Sequence, residues 1–264
     1  MTDIHDGRGV LYPARLPEFR RVLPPDHLQQ YVSWFWISRW EIAPGRVSRQ
    51  QLLPFPLMNV VVQPEGITIS GPSSGASHKD LHGTGWAVAA LLRPAASPFV
   101  ASLAGSTPEK LLDQEVPLAG VDLHTRIKDE HLRTNDLPLN ERCAEQFSSW
   151  LEQCLPPMTD SAVLANEFLE YVSTHREALR VDHVAKDLKL TVRSLQRLSL
   201  KYLGLSPLAV IRRYRLQDAA LQLREHPESS LASLAADLGY SDQAHLSTDF
   251  RKVLGYSPSE YRRS

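Results

Sequence analysis

The sequence predicts an α+β protein of two domains: an amino-terminal β-barrel or sandwich with short helices, then an all-α domain of two helix-turn-helix units joined by a linker helix. Three observations predict it. Aromatic and β-branched runs bounded by Pro and Gly crowd the first hundred residues. Pro156-Pro157 then bars helix continuation, and a helix-rich remainder follows. Within that remainder one fragment is written twice. Val184-Ala185-Lys186-Asp187-Leu188 recurs as Leu234-Ala235-Ala236-Asp237-Leu238 at an offset of 50, and Gly204-Leu205-Ser206-Pro207 recurs as Gly255-Tyr256-Ser257-Pro258 at 51. A short apolar helix, a turn, a longer polar-faced helix and a Gly-x-Ser-Pro stop, repeated, form two units able to enter successive grooves of one DNA duplex. The domains are expected over 1–157 and 161–264.

Taken in order, Tyr31 to Trp40, Met58 to Val62, Ile67 to Ser70 and Trp86 to Leu92 read as strands, and Gly71 to His82 reads as a Gly/Ser/Pro loop. Short helical segments begin at Ser97. Asn140 to Leu155 places Ala144, Phe147, Trp150, Leu151 and Cys154 on one apolar face. Asp160 or Ser161 can cap the helix that follows the two prolines. Helices are expected near 161–176, 181–188, 191–203, 207–225, 231–238, 242–254 and 258–263.

Composition narrows the classes of function. Formal charge is -1 over 264 residues. Residues 1–160 carry 14 basic against 18 acidic side chains, while 161–264 carry 15 against 12. The basic surplus therefore sits with the repeat, although a surplus this small is a weak argument for nucleic acid. Met1 to Gly9 is polar, and no apolar run approaches the roughly 18 residues that span a bilayer, so the cytoplasm is the expected compartment and no membrane partner is expected. Cys143 and Cys154 share one expected helix about 16 Å apart, too far for a disulfide. His78 and His82 have a metal-ligand spacing only if helical, and no Gly-rich phosphate loop, nucleophile elbow or Cys-pair zinc pattern accompanies them. No metal, cofactor or catalytic residue is expected.

The repeat carries the chemistry. In the first unit Val184, Ala185 and Leu188 pack one helix and Leu195, Leu198, Tyr202 and Leu203 the next. The outward face presents Arg193, Gln196, Arg197 and Lys201, with no acid between Thr191 and Gly204. Arg can pair bidentately with guanine, Gln with adenine, and Lys can neutralise phosphate. In the second unit Leu246, Phe250, Val253 and Leu254 pack, leaving Gln243, Ala244 and Thr248 toward bases and Ser247, Arg251 and Lys252 toward phosphates. Asp242 and Asp249 oppose DNA locally unless Asp242 serves at the helix start. The first unit is therefore expected to supply more of the affinity. Leu208 to Arg224 offers a spacer of roughly 25 Å. Arg212, Arg213 and Arg215 on it are phosphate candidates, or partners of Asp218 and Glu225.

Leu190-Thr-Val-Arg-Ser-Leu-Gln-Arg-Leu, Arg215-Leu-Gln-Asp-Ala-Ala and the run from Gly239 through Arg263 resemble the DNA-binding domain of the AraC/XylS family of bacterial transcription regulators, over about residues 161–263. The resemblance implies that both reading helices enter adjacent major grooves. The matching base-facing positions are Arg193, Gln196 and Arg197, then Gln243, Ala244 and Thr248. Two departures stand out: Ser199 replaces a usual aromatic, which would loosen packing, and Thr248 replaces a usual Arg, which removes a cation from the groove. Double-stranded DNA is the implied partner, with a small-molecule effector, RNA polymerase and a second copy of the chain left open.

Tyr31-Val-Ser-Trp-Phe-Trp, Leu53-Pro-Phe-Pro-Leu-Met-Asn-Val-Val-Val, Ile69-Ser-Gly-Pro and Gly85-Trp-Ala-Val-Ala-Ala-Leu-Leu-Arg-Pro-Ala resemble the front domain of a subset of these regulators. That resemblance implies a cupin-like barrel over about residues 10–130. Trp34, Trp36, Trp40 and Trp86 are candidates for an effector pocket, or are core and interface aromatics. Alternation sends Trp34, Trp36 and Trp40 to one face and Tyr31 and Phe35 to the other. Three further readings of the front domain stay open: a cupin-type metal-dependent enzyme fused to a DNA reader, a DNA-alkylation repair fusion that would need a reactive Cys, and a pure dimerisation platform.

Overall fold

The computed structural model describes residues 18–52, 55–133, 138–175 and 180–263. The first 17 residues and Leu53-Pro54 of the front-domain motif lie outside these. Eight strands are described: β1 (Glu18–Val22), β2 (Val32–Glu41), β3 (Ser48–Leu52), β4 (Asn59–Gln63), β5 (Gly66–Ser70), β6 (Ser77–Leu81), β7 (Thr84–Leu92) and β8 (Glu115–Pro117). Six form an antiparallel sheet in the order β1-β2-β7-β4-β5-β8, and β3 pairs with β6 as a separate ribbon. The ribbon corrects the sequence reading of 71–82, since Ser77–Leu81 is a strand. Its side chains other than the buried Leu81 are polar and its partner lies far off in the chain, so no local alternation marks it.

Each strand of the sheet divides its side chains between two faces. Phe35, Ile37, Val60, Val62, Ile67, Ile69, Val88 and Ala90 point into one core, closed by α2 (Leu123–Arg133) and α3 (Pro138–Cys154) through Leu123, Ile127, Phe147 and Leu151. Phe35 and Phe147 rings meet at 5.6 Å between centroids. The opposite face carries Trp34, Trp36, Asn59, Val61 and Leu91 and, with the β3–β6 ribbon, encloses a cavity of about 920 Å³. A short α1 (Ser97–Leu103) follows β7.

The rear of the chain is helical: α4 (Asp160–Thr174), α5 (Val181–Asp187), α6 (Val192–Leu203), α7 (Pro207–Glu225), α8 (Leu231–Asp237), α9 (Gln243–Leu254) and α10 (Pro258–Arg263). The cap of α4 is Thr159, whose Oγ1 accepts from the Ala162 N–H, rather than Asp160 or Ser161. The change of offset within the repeat has a local cause. Four residues join α5 to α6 and five join α8 to α9, so one extra residue sits in the second turn. The punctuation otherwise matches: Thr191 and Asp242 cap the longer helices, Gly204 and Gly255 end them at positive φ, and Ser206 and Ser257 precede the next helix.

Helix α7 is the common wall of both units. Val210, Ile211 and Tyr214 join the core of the first with Val184, Ala185, Leu195 and Leu203. Leu216, Ala219, Ala220 and Leu223 join the second with Leu234, Ala235, Leu246 and Phe250. Burial on this scale around one helix fixes the two units to the same rod. The first core also takes in Leu57 and Leu91 from the front domain. Asn166 of α4 stitches the two halves further: its Oδ1 accepts from the Ala95 N–H at 3.1 Å and its Nδ2 donates to the Gln30 carbonyl at 2.7 Å. Among the described residues no helix is long and apolar enough to cross a membrane.

Candidate nucleic-acid interface

Helix α6 builds the first reading face. Thr191 Oγ1 accepts from the Ser194 N–H at 3.0 Å and starts the helix. Leu195, Ser199, Tyr202 and Leu203 are buried, so Arg193, Gln196, Arg197 and Lys201 are left exposed by the helical period. Lys201 Nζ lies 4.9 Å from the Tyr202 ring centroid, which holds its stem against the unit. Val192 is 39% exposed at the start of the same face. Sequence reading passed over it. A β-branched residue exposed at the head of a polar helix is the signal, and its methyls suit contact with a thymine methyl.

Ser199 behaves differently from the expectation of loosened packing. It is fully buried, and its Oγ donates to the Leu205 carbonyl at 2.6 Å, tying the helix to the turn after it. The hydroxyl is satisfied, so the missing aromatic leaves no stranded polar group.

Helix α9 builds the second face, and it is sparser in charge. Asp242 caps it by accepting from the His245 N–H at 2.8 Å, and that bond holds its carboxyl below the ordinary range. Gln243, Ala244, Thr248, Arg251 and Lys252 are exposed and Ser247 is half-buried. Thr248 Oγ1 donates to its own helix at the Ala244 carbonyl, 2.9 Å away, leaving only acceptor capacity outward. Arg251 faces Glu260 at 3.3 Å, which offsets part of its charge. Asp249 turns inward, accepting from the Tyr240 hydroxyl at 3.3 Å and facing Arg212 at 3.9 Å, so it opposes DNA less than the sequence suggested.

The spacer cations separate. Arg212 is exposed beside Asp249. Arg213 is only 5% exposed, with Nε donating to the Ser73 carbonyl at 2.9 Å and Nη1 to Ala209 at 3.0 Å. Burial pushes its pKa down and the nearby Asp113 pushes it up. As placed, Arg213 is a clasp between α7 and the front domain, and it leaves the set of phosphate contacts. Arg215, half-buried, donates to the Leu238 carbonyl at 3.5 Å.

Of the four tryptophans, Trp34, Trp36 and Trp40 line the cavity. Trp86 does not. It sits opposite Arg39 across β2 and β7, and cross-strand partners share a face, so its ring enters the core with Phe35 and Ile37. Gly85 lies opposite Trp40, and a Cβ there would come within 2.4 Å of the indole; only glycine lets that ring lie flat over the strand. Cys143 and Cys154 both stand on α3 as free thiols, and burial pushes each up to about 11. That burial disfavours the thiolate an alkyl-transfer fusion would need. His78 lies on the strand β6 with His82 just beyond it, and among the described residues no His, Cys, Asp or Glu group could hold a metal ion.

Two helix-turn-helix units on one shared helix define the class, a bipartite helix-turn-helix protein. The comparisons agree. Residues 184–264 match the model of a helix-turn-helix domain, and residues 20–117 match a domain of unknown function, DUF6597. A Streptomyces lividans protein described as an AraC-like transcription regulator is 32% identical over 126 residues, which are 47% of this chain and 38% of that protein. The transcriptional activator RhaS of Escherichia coli is 34% identical over 107 residues, 40% of this chain and 38% of its own. The matches thus span well under half the length of these relatives. Among solved structures, the carboxy-terminal domain of the response regulator AraT from Geobacillus stearothermophilus is 28% identical with a TM-score of 0.36, covering 40% of this chain and 88% of that one. Apo ToxT of Vibrio cholerae, in a variant form, is 11% identical with a TM-score of 0.45, covering 87% and 97%. By its helix-turn-helix domain the chain is similar to AraC-like transcription regulators, and it carries a front domain of unknown function.

Proposed function

We propose that the chain is a sequence-specific transcription regulator that holds double-stranded DNA with α6 and α9 in adjacent major grooves. One observation carries this reading. At equivalent places in both units the longer helix is capped, packed on its apolar side and left open to solvent on its polar side, and the front domain covers neither face. Base contacts fall to Arg193, Gln196 and Arg197 on α6 and to Gln243, Ala244 and Thr248 on α9. Phosphate contacts fall to Lys201, Arg212, Ser247, Arg251 and Lys252. Exposed Lys186 and Lys189 on and after α5 extend the basic edge of the first unit.

In this reading the chain divides near 157–161, carries no catalytic centre and acts in the cytoplasm. The front domain senses a small molecule, and a change in its occupancy shifts the population of DNA-competent readers. Self-association through the front domain and contact with RNA polymerase extend the proposal. Selection of bound duplexes from a random pool by the purified full chain tests it: a consensus with two recognition elements about one helical turn apart is expected. Failure to enrich any sequence at low ionic strength would remove the reading. Sedimentation of the complex on the selected duplex separates one copy per site from two.

A further inference from the structure

The cavity between the sheet and the β3–β6 ribbon is walled by aromatic faces. Trp36 donates its indole N–H to Asn59 Oδ1 at 3.1 Å and Trp40 donates to the His82 carbonyl at 3.3 Å, so both rings present apolar surface. Phe19 stacks beside Trp36 at 6.1 Å between centroids. The volume of about 920 Å³ is ample for a ligand of several fused rings.

The charges in the wall are already used. Arg49 grips Asp80 through two bonds of 2.7 and 2.8 Å. Lys79 faces Glu115 at 3.5 Å. Arg21 lies over the Trp34 ring at 4.5 Å. Asp113 accepts from the Ser74 N–H at 2.5 Å and attracts Arg213. A charged ligand entering here would shed water and have to compete with these contacts, a cost that an uncharged ligand avoids. The remaining polar lining is of amides and hydroxyls, among them Gln50, Gln63, Ser70 and Gln114, which suit neutral donors and acceptors.

The same wall belongs to the reader. Trp34 meets Phe55 edge-on at 6.1 Å, and Phe55 meets Tyr214 of α7 edge-on at 6.2 Å. Leu57 and Leu91 line the cavity and also pack in the core of the first helix-turn-helix unit. On the other side, the 73–76 loop lines the cavity, receives Arg213 at Ser73, and lies against the end of α9, where a Cβ on Gly255 would stand 3.1 Å from that of Ala76. Tyr256, the next residue, reaches the cavity itself.

We propose that this cavity binds an uncharged, planar, polycyclic small molecule, and that its occupancy is passed to the reader through Trp34, Phe55 and Tyr214 on one side and through the 73–76 loop and Tyr256 on the other. The second clause rests on the regulator reading above; the first does not. Nile red, which is planar and uncharged, and 8-anilinonaphthalene-1-sulfonate, which is apolar and anionic, test the ligand class on the full chain. Nile red is expected to saturate at one per chain and quench tryptophan emission, with the sulfonate at least about tenfold weaker. Equal or tighter binding of the sulfonate, or a Nile red signal that rises without saturating, would overturn the class. Trp36→Ala, which strips one wall, and Val61→Trp, which fills the cavity from β4, are each expected to weaken Nile red with helical content and melting retained. A folded variant of either kind with wild-type dye affinity places the dye elsewhere and overturns the site. Transmission is read twice. Saturating dye is expected to change affinity for the selected duplex in the wild type but not in Phe55→Ala. It is also expected to slow amide exchange in α7 and the 73–76 loop, which needs no DNA. A chain that binds dye, shows slowed exchange and ignores every duplex would sink the regulator reading while leaving the cavity intact; dye binding with no change in exchange or affinity would sink the transmission.

Discussion

Arg197 and Lys201 sit one turn apart on α6, and on the proposed reading their chemistry separates what each would do to DNA. A guanidinium in a groove forms two bonds with fixed geometry to one base, whereas an ammonium on a flexible stem neutralises phosphate whatever the sequence. Arg197→Ala is expected to cost about 1–3 kcal/mol on the selected duplex and to relax one base position. Lys201→Ala should weaken all duplexes alike and lower the salt slope by about one unit. Titrating both variants over a range of salt distinguishes them, and identical behaviour of the two would dissolve the assignment of roles. Ser199 shows how far a residue's type can mislead. Read as a shortened aromatic it predicts a gap, yet its hydroxyl is buried and bonded, a role worth about 1 kcal/mol that no periodicity announces.

At the scale of the element, the two turns put different residues at one matched left-handed position. Lys189 in the first turn and Gly239 in the second both follow the short helix and both hold positive φ, 56° and 71°. A side chain in the left-handed region costs roughly 1–2 kcal/mol, while a glycine gives back about 0.5–1 through unfolded-chain entropy. Lys189→Gly should therefore stabilise the first unit by about 0.5–1 kcal/mol, measured by denaturant midpoint at constant slope, and a destabilised variant would mean the lysine makes a compensating contact. The start of α10 carries a pH signature. Glu260 accepts from the hydroxyl and N–H of Ser257 and pairs with Arg251, which together hold its carboxyl down at about 2, against an ordinary 4.5. Because the folded form is the more acidic, its contribution is complete above about pH 4.5 and fades as pH falls toward 2. In Glu260→Gln the stability curve should be flatter across that window and unchanged in slope between pH 6 and 8. The helices from Asn140 onward were legible in sequence to within two residues at each end wherever described, because caps, αL glycines and apolar spacing act locally, whereas Leu123–Arg133 was not placed. Ser77–Leu81 was not, because a polar edge ribbon is defined only by the strand it meets. Trp86 was misplaced for a related reason: alternation sorts residues within one strand, but only the register against β2 decides which face each set takes.

Across the whole molecule, both units are bound to α7 and the first shares its core with the front domain, so the reader is presented as one body whose two faces differ in strength. The α6 face, here upstream, has three exposed cations and no acid; the α9 face, here downstream, has Arg251 beside Glu260, and a threonine whose hydroxyl proton is spent on Ala244. On the proposed reading, rigid coupling would make both faces engage together, so the weaker one would be held near DNA by the stronger at high effective concentration and could tolerate poorer contacts. The downstream half-site should therefore be read less stringently: single-base changes there are expected to cost under about 1 kcal/mol, against about 1–3 kcal/mol upstream. Thr248→Arg restores a side chain able to pair bidentately with guanine, and should raise both total affinity and the penalty for downstream changes. Base-by-base substitution of the selected duplex, measured for the wild type and this variant, decides the matter. Equal penalties at both half-sites in the wild type would show that charge on the reading helices does not set stringency here, and that the unequal faces are balanced by backbone or shape contacts instead.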